Sequence, residues 1–129
     1  MKRQITVVIF SASSESETEL RNAFKTVQGL RVVASSDQME QAYADVVQWR
    51  PSAVIISLDK QPEVGWMLCR QITAICPETT VICASQDSSS DMILDSLRAG
   101  AREFLRLPAV AEDLATVLDR VAEFSAKDS

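Results

Sequence analysis

Residues 51–66 read PSAVIISLDKQPEVGW. Ala53 to Leu58 is the most apolar run in the chain, rich in β-branched residues and interrupted only by Ser57. Such a run suits a strand covered on both faces, as in the middle of a parallel sheet. Arg50-Pro51 ends the segment before it, because a residue preceding proline is pushed out of the helical region. Asp59 to Gly65 reads as the loop after the strand.

The same grammar repeats on either side. Upstream, Met39, Ala42, Tyr43, Val46 and Val47 form an amphipathic helical stripe, with Ser36 and Asp37 as candidate caps. Leu30 to Ala34 is a short strand before it. Ile5 to Phe10 is another buried strand. SASSESETELRNAF follows, with capping boxes available at Ser14/Glu17 or Ser16/Glu19. Its apolar positions are Leu20, Ala23 and Phe24, and Gly29 closes it. Downstream, a third helix is expected from Trp66 to Ile75, stopped by Cys76-Pro77, and Thr80 to Ala84 is the fourth strand. Ser88 and Asp91 offer the next cap, before a helix lined by Met92, Ile93, Leu94 and Leu97 and closed by Gly100. Glu103 to Leu107 is a fifth strand ended by Pro108. The last helix runs from Val110 to about Phe124, with Leu114, Val117, Leu118 and Val121 as its stripe.

Five strands alternating with five helices predict an α/β fold, a doubly wound five-stranded parallel sheet with right-handed crossovers. The flavodoxin-like order 2-1-3-4-5 is the natural choice, and it places function at the C-terminal strand ends. One domain is expected over 1–125, with 126–129 as a polar tail or the start of a linker.

Composition narrows the chemistry. The chain has 129 residues, a net charge of −5, no histidine and three cysteines, at 69, 76 and 83. An acidic balance argues against nucleic acid and against anionic lipid. Without histidine there is no Ser-His-Asp or Cys-His nucleophile, and no enzyme activity is expected. The cysteines lack zinc spacing and suit buried reduced thiols in a cytoplasmic protein. The apolar stretch after Met1-Lys2-Arg3 is too short for a signal peptide, and no run reaches the ~18 residues of a membrane span. No metal and no cofactor are expected.

Two segments carry a family resemblance. PSAVIISLDKQPEVGW is similar to PDVVLLDLNMPGMDGL, and LRAGAREFLRLP at 97–108 is similar to LRAGADDYLLKP, both patterns of receiver domains of the CheY-like superfamily. The resemblance covers the whole chain. It implies a fold built for phosphoryl transfer from a histidine kinase to an aspartate. That chemistry uses an acidic pair for Mg²⁺ after strand 1, an acceptor carboxylate at the end of strand 3, a hydroxyl after strand 4 and a lysine after strand 5. Here the acidic pair falls on Ser11 and Ala12, the acceptor on Ser57 and the lysine on Leu107. Ser85 keeps the hydroxyl, and Phe104 keeps an aromatic switch position. Catalysis of this kind is mostly charge neutralisation, so the missing charges point to a degenerate acceptor pocket. Asp59 stands two residues beyond the acceptor position and is the alternative acceptor, of an ordinary phosphorelay receiver. The vacated pocket could also take a small ligand.

Within the superfamily, the chain most resembles the N-terminal atypical receiver of CpaE/TadZ proteins of Tad (Flp) pilus assembly. In those proteins a ParA/MinD-like ATPase follows the receiver. No GxxxxGK[ST] loop occurs in these residues. The resemblance implies a domain that binds a protein partner or itself, with an ATPase domain in cis as a further expectation. Arg98, Arg102 and Arg106 form a candidate basic interface patch or, more blandly, a solvated face. A homodimer through the helix 4–strand 5–helix 5 face would use it. Trp66 is a second interface candidate or a packing residue.

Overall fold

A computed structural model of the chain describes residues 4–128, with side chains to Phe124. These residues form β1 (Ile5–Phe10), α1 (Ser14–Phe24), β2 (Leu30–Ser36), α2 (Met39–Trp49) and β3 (Ala53–Ser57), followed by α3 (Pro62–Ile75), β4 (Thr80–Ser85), α4 (Ser90–Ala99), β5 (Glu103–Arg106) and α5 (Ala111–Asp128). The strands make one sheet in the order β2-β1-β3-β4-β5, and every pairing is parallel. This is the flavodoxin-like order expected from the alternation.

Strand periodicity divides the core. Val8, Phe10, Val54, Ile56, Val81 and Cys83 face the layer of α2, α3 and α4. Val7, Ile9, Ile55, Ile82, Ala84 and Leu105 face α1 and α5. Successive side chains point to opposite faces, so a strand with helices on both sides must be apolar at every position. β3, between β1 and β4, is buried throughout. Helix α3 lies close on it at Gly65, where a Cβ would come 2.6 Å from Leu58 Cδ2 and 3.0 Å from Ile56 Cγ2.

Several boundaries differ from the sequence reading. Helix α3 begins at Pro62 rather than Trp66, because proline's fixed φ suits the first helical turn, where its missing N–H costs nothing. Ser13, not Ser14 or Ser16, caps α1, accepting from the Ser16 amide at 3.4 Å. Ser89 rather than Ser88 caps α4, accepting from the Met92 amide at 3.3 Å. Arg50 does leave the helical region before Pro51, but into the left-handed one, at φ 46°. β5 ends at Arg106, one residue before Leu107. α5 continues through 126–128, residues expected in the tail. Ser129 and the Met1-Lys2-Arg3 start lie outside the described residues.

The stripe of α4 is also corrected. Ser96 and Ala99 are its buried residues, while Leu94 and Leu97 are 45% and 46% exposed. Small side chains let α4 sit close to its neighbours. At its end, left-handed Gly100 leaves no room beside Thr73, whose Cγ2 would stand 2.8 Å from a Cβ. On α2, Val47 is likewise exposed, while Met39 and Tyr43 pack against the core.

Candidate functional site

Sheet register fixes the strand ends. Ser57 pairs with Ala84, and Ser85 pairs with Arg106. Ser57 is therefore the last residue of β3, and Asp59 lies in the loop beyond it. Ser57 is buried, and among the described residues its hydroxyl has no hydrogen-bond partner. A neutral orphan hydroxyl thus stands at the acceptor position.

The other positions diverge. The Ser11 hydroxyl closes a local turn, donating to the Ser13 carbonyl at 2.7 Å and accepting from the Ser13 amide at 3.2 Å. Ala12, half-buried, brings no polar group. Leu107 is buried with Leu105, Leu114 and Val117 in the α1–α5 layer. Phe104 packs against the opposite layer.

Ser85 and Asp59 do come together. The Ser85 hydroxyl donates to Asp59 Oδ1 at 3.1 Å and accepts from the Asp87 amide at 3.0 Å. The Gln86 amide donates to the same Oδ1 at 3.2 Å, and the Ser16 hydroxyl donates to Oδ2 at 2.7 Å. The next residue, Lys60, has φ 77°, and the loop turns sharply there. The sequence reading placed Asp59 in the loop but missed the return of its carboxylate, and it missed Ser16 as a contact. A signal for Ser16 existed: Ser16, Leu20 and Phe24 recur every four residues and form the buried face of α1.

The receiver resemblance implies Mg²⁺ at these strand ends, and the residues do not fit it. A hard cation wants several anionic oxygens. Ser11, Ala12 and Ser57 supply no carboxylate, and Asp59 already accepts three hydrogen bonds. Among the described residues no cluster of three or more His, Cys, Asp or Glu could hold a metal. Beside these residues an open cleft of about 520 Å³ is lined by Ser11, Ala12, Glu17, Ser36, Asp37 and Lys60.

The four interface candidates each have their own neighbours. Arg98 lies 3.6 Å from Asp95 on exposed α4. The Arg102 guanidinium sits 3.9 Å over the Phe124 ring. Arg106 is exposed and shares a cleft with Asp113 and Arg120. Arg120 makes two bonds to Glu103, at 2.8 and 2.7 Å. The surface is therefore mixed in sign. Trp66 is half-buried and packs against the core, and its Nε1 donates to Ser96 Oγ at 3.0 Å.

The three cysteines are buried and free. Hydrogen bonding with Cys69, whose own pKa it lowers, combines with burial to push the Cys83 thiol far up, and burial raises Cys76. Both stay protonated near neutrality. No helix of the described residues is long and apolar enough to cross a membrane.

No family model matches the sequence. A protein-glutamate methylesterase/protein-glutamine glutaminase of Anaeromyxobacter dehalogenans is 25% identical over 107 residues, which are 83% of this chain and 30% of that protein. The chain thus spans under a third of that relative's length. Among solved structures, a Burkholderia pseudomallei protein described as pilus assembly-related superposes with a TM-score of 0.83 at 20% identity, over 96% of this chain and 93% of that one. A Burkholderia thailandensis protein described as the pilus assembly protein CpaE gives 0.77 at 22%, over 93% and 99%. The response regulator domain of Thermotoga maritima CheB gives 0.74 at 17%, over 96% and 98%. The chain has the receiver-domain fold.

Proposed function

We propose that this receiver-fold domain forms no aspartyl phosphate and acts by protein–protein association in pilus assembly. One observation carries the reading: β3 ends in Ser57, a buried hydroxyl, where the receiver chemistry needs a carboxylate. Phosphoryl transfer depends on neutralising charge around the transferred group. The lysine that would do so is replaced by Leu107, packed in the core, and the metal-binding acids by Ser11 and Ala12.

What the domain offers instead is surface. Leu94 and Leu97 stand exposed on α4 beside Asp95 and Arg98. Both signs of charge on one helix face suit a two-fold contact, in which the same patch serves both copies. This favours the face of α4, β5 and α5 for self-association. The pilus setting rests on the two Burkholderia neighbours, and an ATPase unit as output rests on the CpaE/TadZ resemblance. A cytoplasmic place and the lack of enzymatic turnover belong to the same reading, supported by three buried, unbridged cysteines and by the absence of histidine.

A second reading is phosphorylation at Asp59, favoured by its contact with the Ser85 hydroxyl. Intact mass after incubation with acetyl phosphate and Mg²⁺ separates the two. The mass is expected to stay unchanged. An added phosphoryl group that disappears in Asp59→Asn would establish the second reading.

A further inference from the structure

We propose that the hydroxyls of Ser16 and Ser85 and the amide of Gln86 form an oxyanion seat, and that Asp59 fills it as an internal carboxylate ligand. The inference rests on reading the strand ends as a degenerate acceptor pocket, and it specifies how that pocket is regulated.

The donors come from three places in the chain. Ser16 lies on α1, Ser85 ends β4, and Gln86 opens the loop to α4. All three aim at one carboxylate, Ser16 at Oδ2 and the other two at Oδ1. Ser16 and Ser85 are 2% and 1% exposed. A buried donor stripped of its acceptor is costly, so with Asp59 gone either water, entering beside the exposed Gln86, or another acceptor must meet these hydroxyls. The orientation of the Ser85 hydroxyl is fixed from behind. It accepts from the Asp87 amide, which leaves its hydrogen to Asp59. The donors are all uncharged, so an anionic acceptor makes the stronger hydrogen bonds here.

The backbone points the same way. Lys60, next to Asp59, has φ 77°, a left-handed conformation unfavourable for any residue with a Cβ. The three bonds to Asp59 hold that turn in place. Bridging α1, the β3–α3 loop and the β4–α4 loop, the carboxylate keeps all three in one arrangement without an external trigger. Small carboxylates are the ligand class that the emptied seat would accept.

The test is chemical rescue in the whole chain. Asp59→Gly removes the carboxylate and tolerates the loop's backbone. Its melting temperature is expected to fall by about 5 °C or more. Sodium formate, against sodium chloride at equal ionic strength, is expected to restore much of that loss in a saturable way. Neither the wild type nor Asp59→Gly/Ser85→Ala should show the response. Asp59→Asn, which fills the seat with a neutral amide, should melt below the wild type and ignore formate. Equal formate responses in all variants, no response in Asp59→Gly, or a wild-type melting temperature in Asp59→Asn would overturn the assignment. Formate rescue reads the seat alone. Failure of the non-phosphorylatable reading would appear separately, as an added phosphoryl mass on the wild type.

Discussion

Helix α5 turns Leu114, Val117, Leu118 and Val121 into the core, whereas α4 turns Ser96 and Ala99 inward and leaves Leu94 and Leu97 outside. The two helices follow β5 and β4, and each carries an apolar stripe in its sequence. What they meet differs. α5 lies over Ile82, Ala84 and Leu105 in an apolar layer. α4 meets a place with polar needs: Ser96 accepts from Trp66 Nε1 at 3.0 Å and donates to the Met92 carbonyl at 2.8 Å. A leucine there could do neither. The inward face of a helix is set by the groups it must satisfy as well as by hydrophobicity, and what is left outside becomes surface for another molecule.

Truncations test that contrast most strongly. Leu114→Ala or Leu118→Ala should cost about 2–5 kcal/mol in urea unfolding, the usual loss for a buried leucine. Leu97→Ala should stay within about 0.5 kcal/mol, as surface changes do. Equal losses would break the comparison. Ser96→Ala should cost about 1–2 kcal/mol, because the Trp66 N–H loses its acceptor. A neutral result would mean that the seat of α4 is set by size alone. Leu94→Lys with Leu97→Lys should change stability by less than about 1 kcal/mol yet abolish self-association in sedimentation velocity. An unaltered sedimentation profile would move the interface away from α4.

The smallest effect concerns pH. Cys83 sits on β4 in the same layer as α4, with its pKa raised in the fold by its bond to Cys69 and by burial. Below the unfolded thiol's pKa of about 8.5 both states keep the proton. Above it only the unfolded state releases it, so stability falls as pH rises. Urea midpoints between pH 7 and 10 should decline in Cys69→Ala, which removes the opposite shift of the bonded Cys69 thiol, and less steeply in Cys69→Ala/Cys83→Ala. Identical slopes would show that Cys83 contributes nothing to the decline.

Much of the fold was legible because β-branched runs bounded by proline, glycine and serine have few other structures open to them. β1 came out at Ile5–Phe10 as read, and the buried stripe of α5 is the one its spacing gives. The resemblance located Ser57 and Ser85 at their strand ends. The contacts of Asp59 were hidden because they depend on a left-handed turn at Lys60, a residue that does not advertise one as glycine would. The facing of α4 was hidden for a related reason. The hydrogen bond that draws Ser96 inward comes from Trp66, thirty positions earlier in the chain, and no local periodicity records it.

The bond from Trp66 to Ser96 also gives the domain an optical handle. The chain has two tryptophans. Trp49 is 46% exposed, while Trp66 is half sheltered with its N–H already bonded to α4. An indole facing water emits to the red and is quenched by iodide, and a sheltered one emits to the blue and is spared. Iodide therefore quenches Trp49 more than Trp66 and weights the remaining spectrum toward the α3–α4 junction. A partner landing on α4 alters that residual colour with no dye attached.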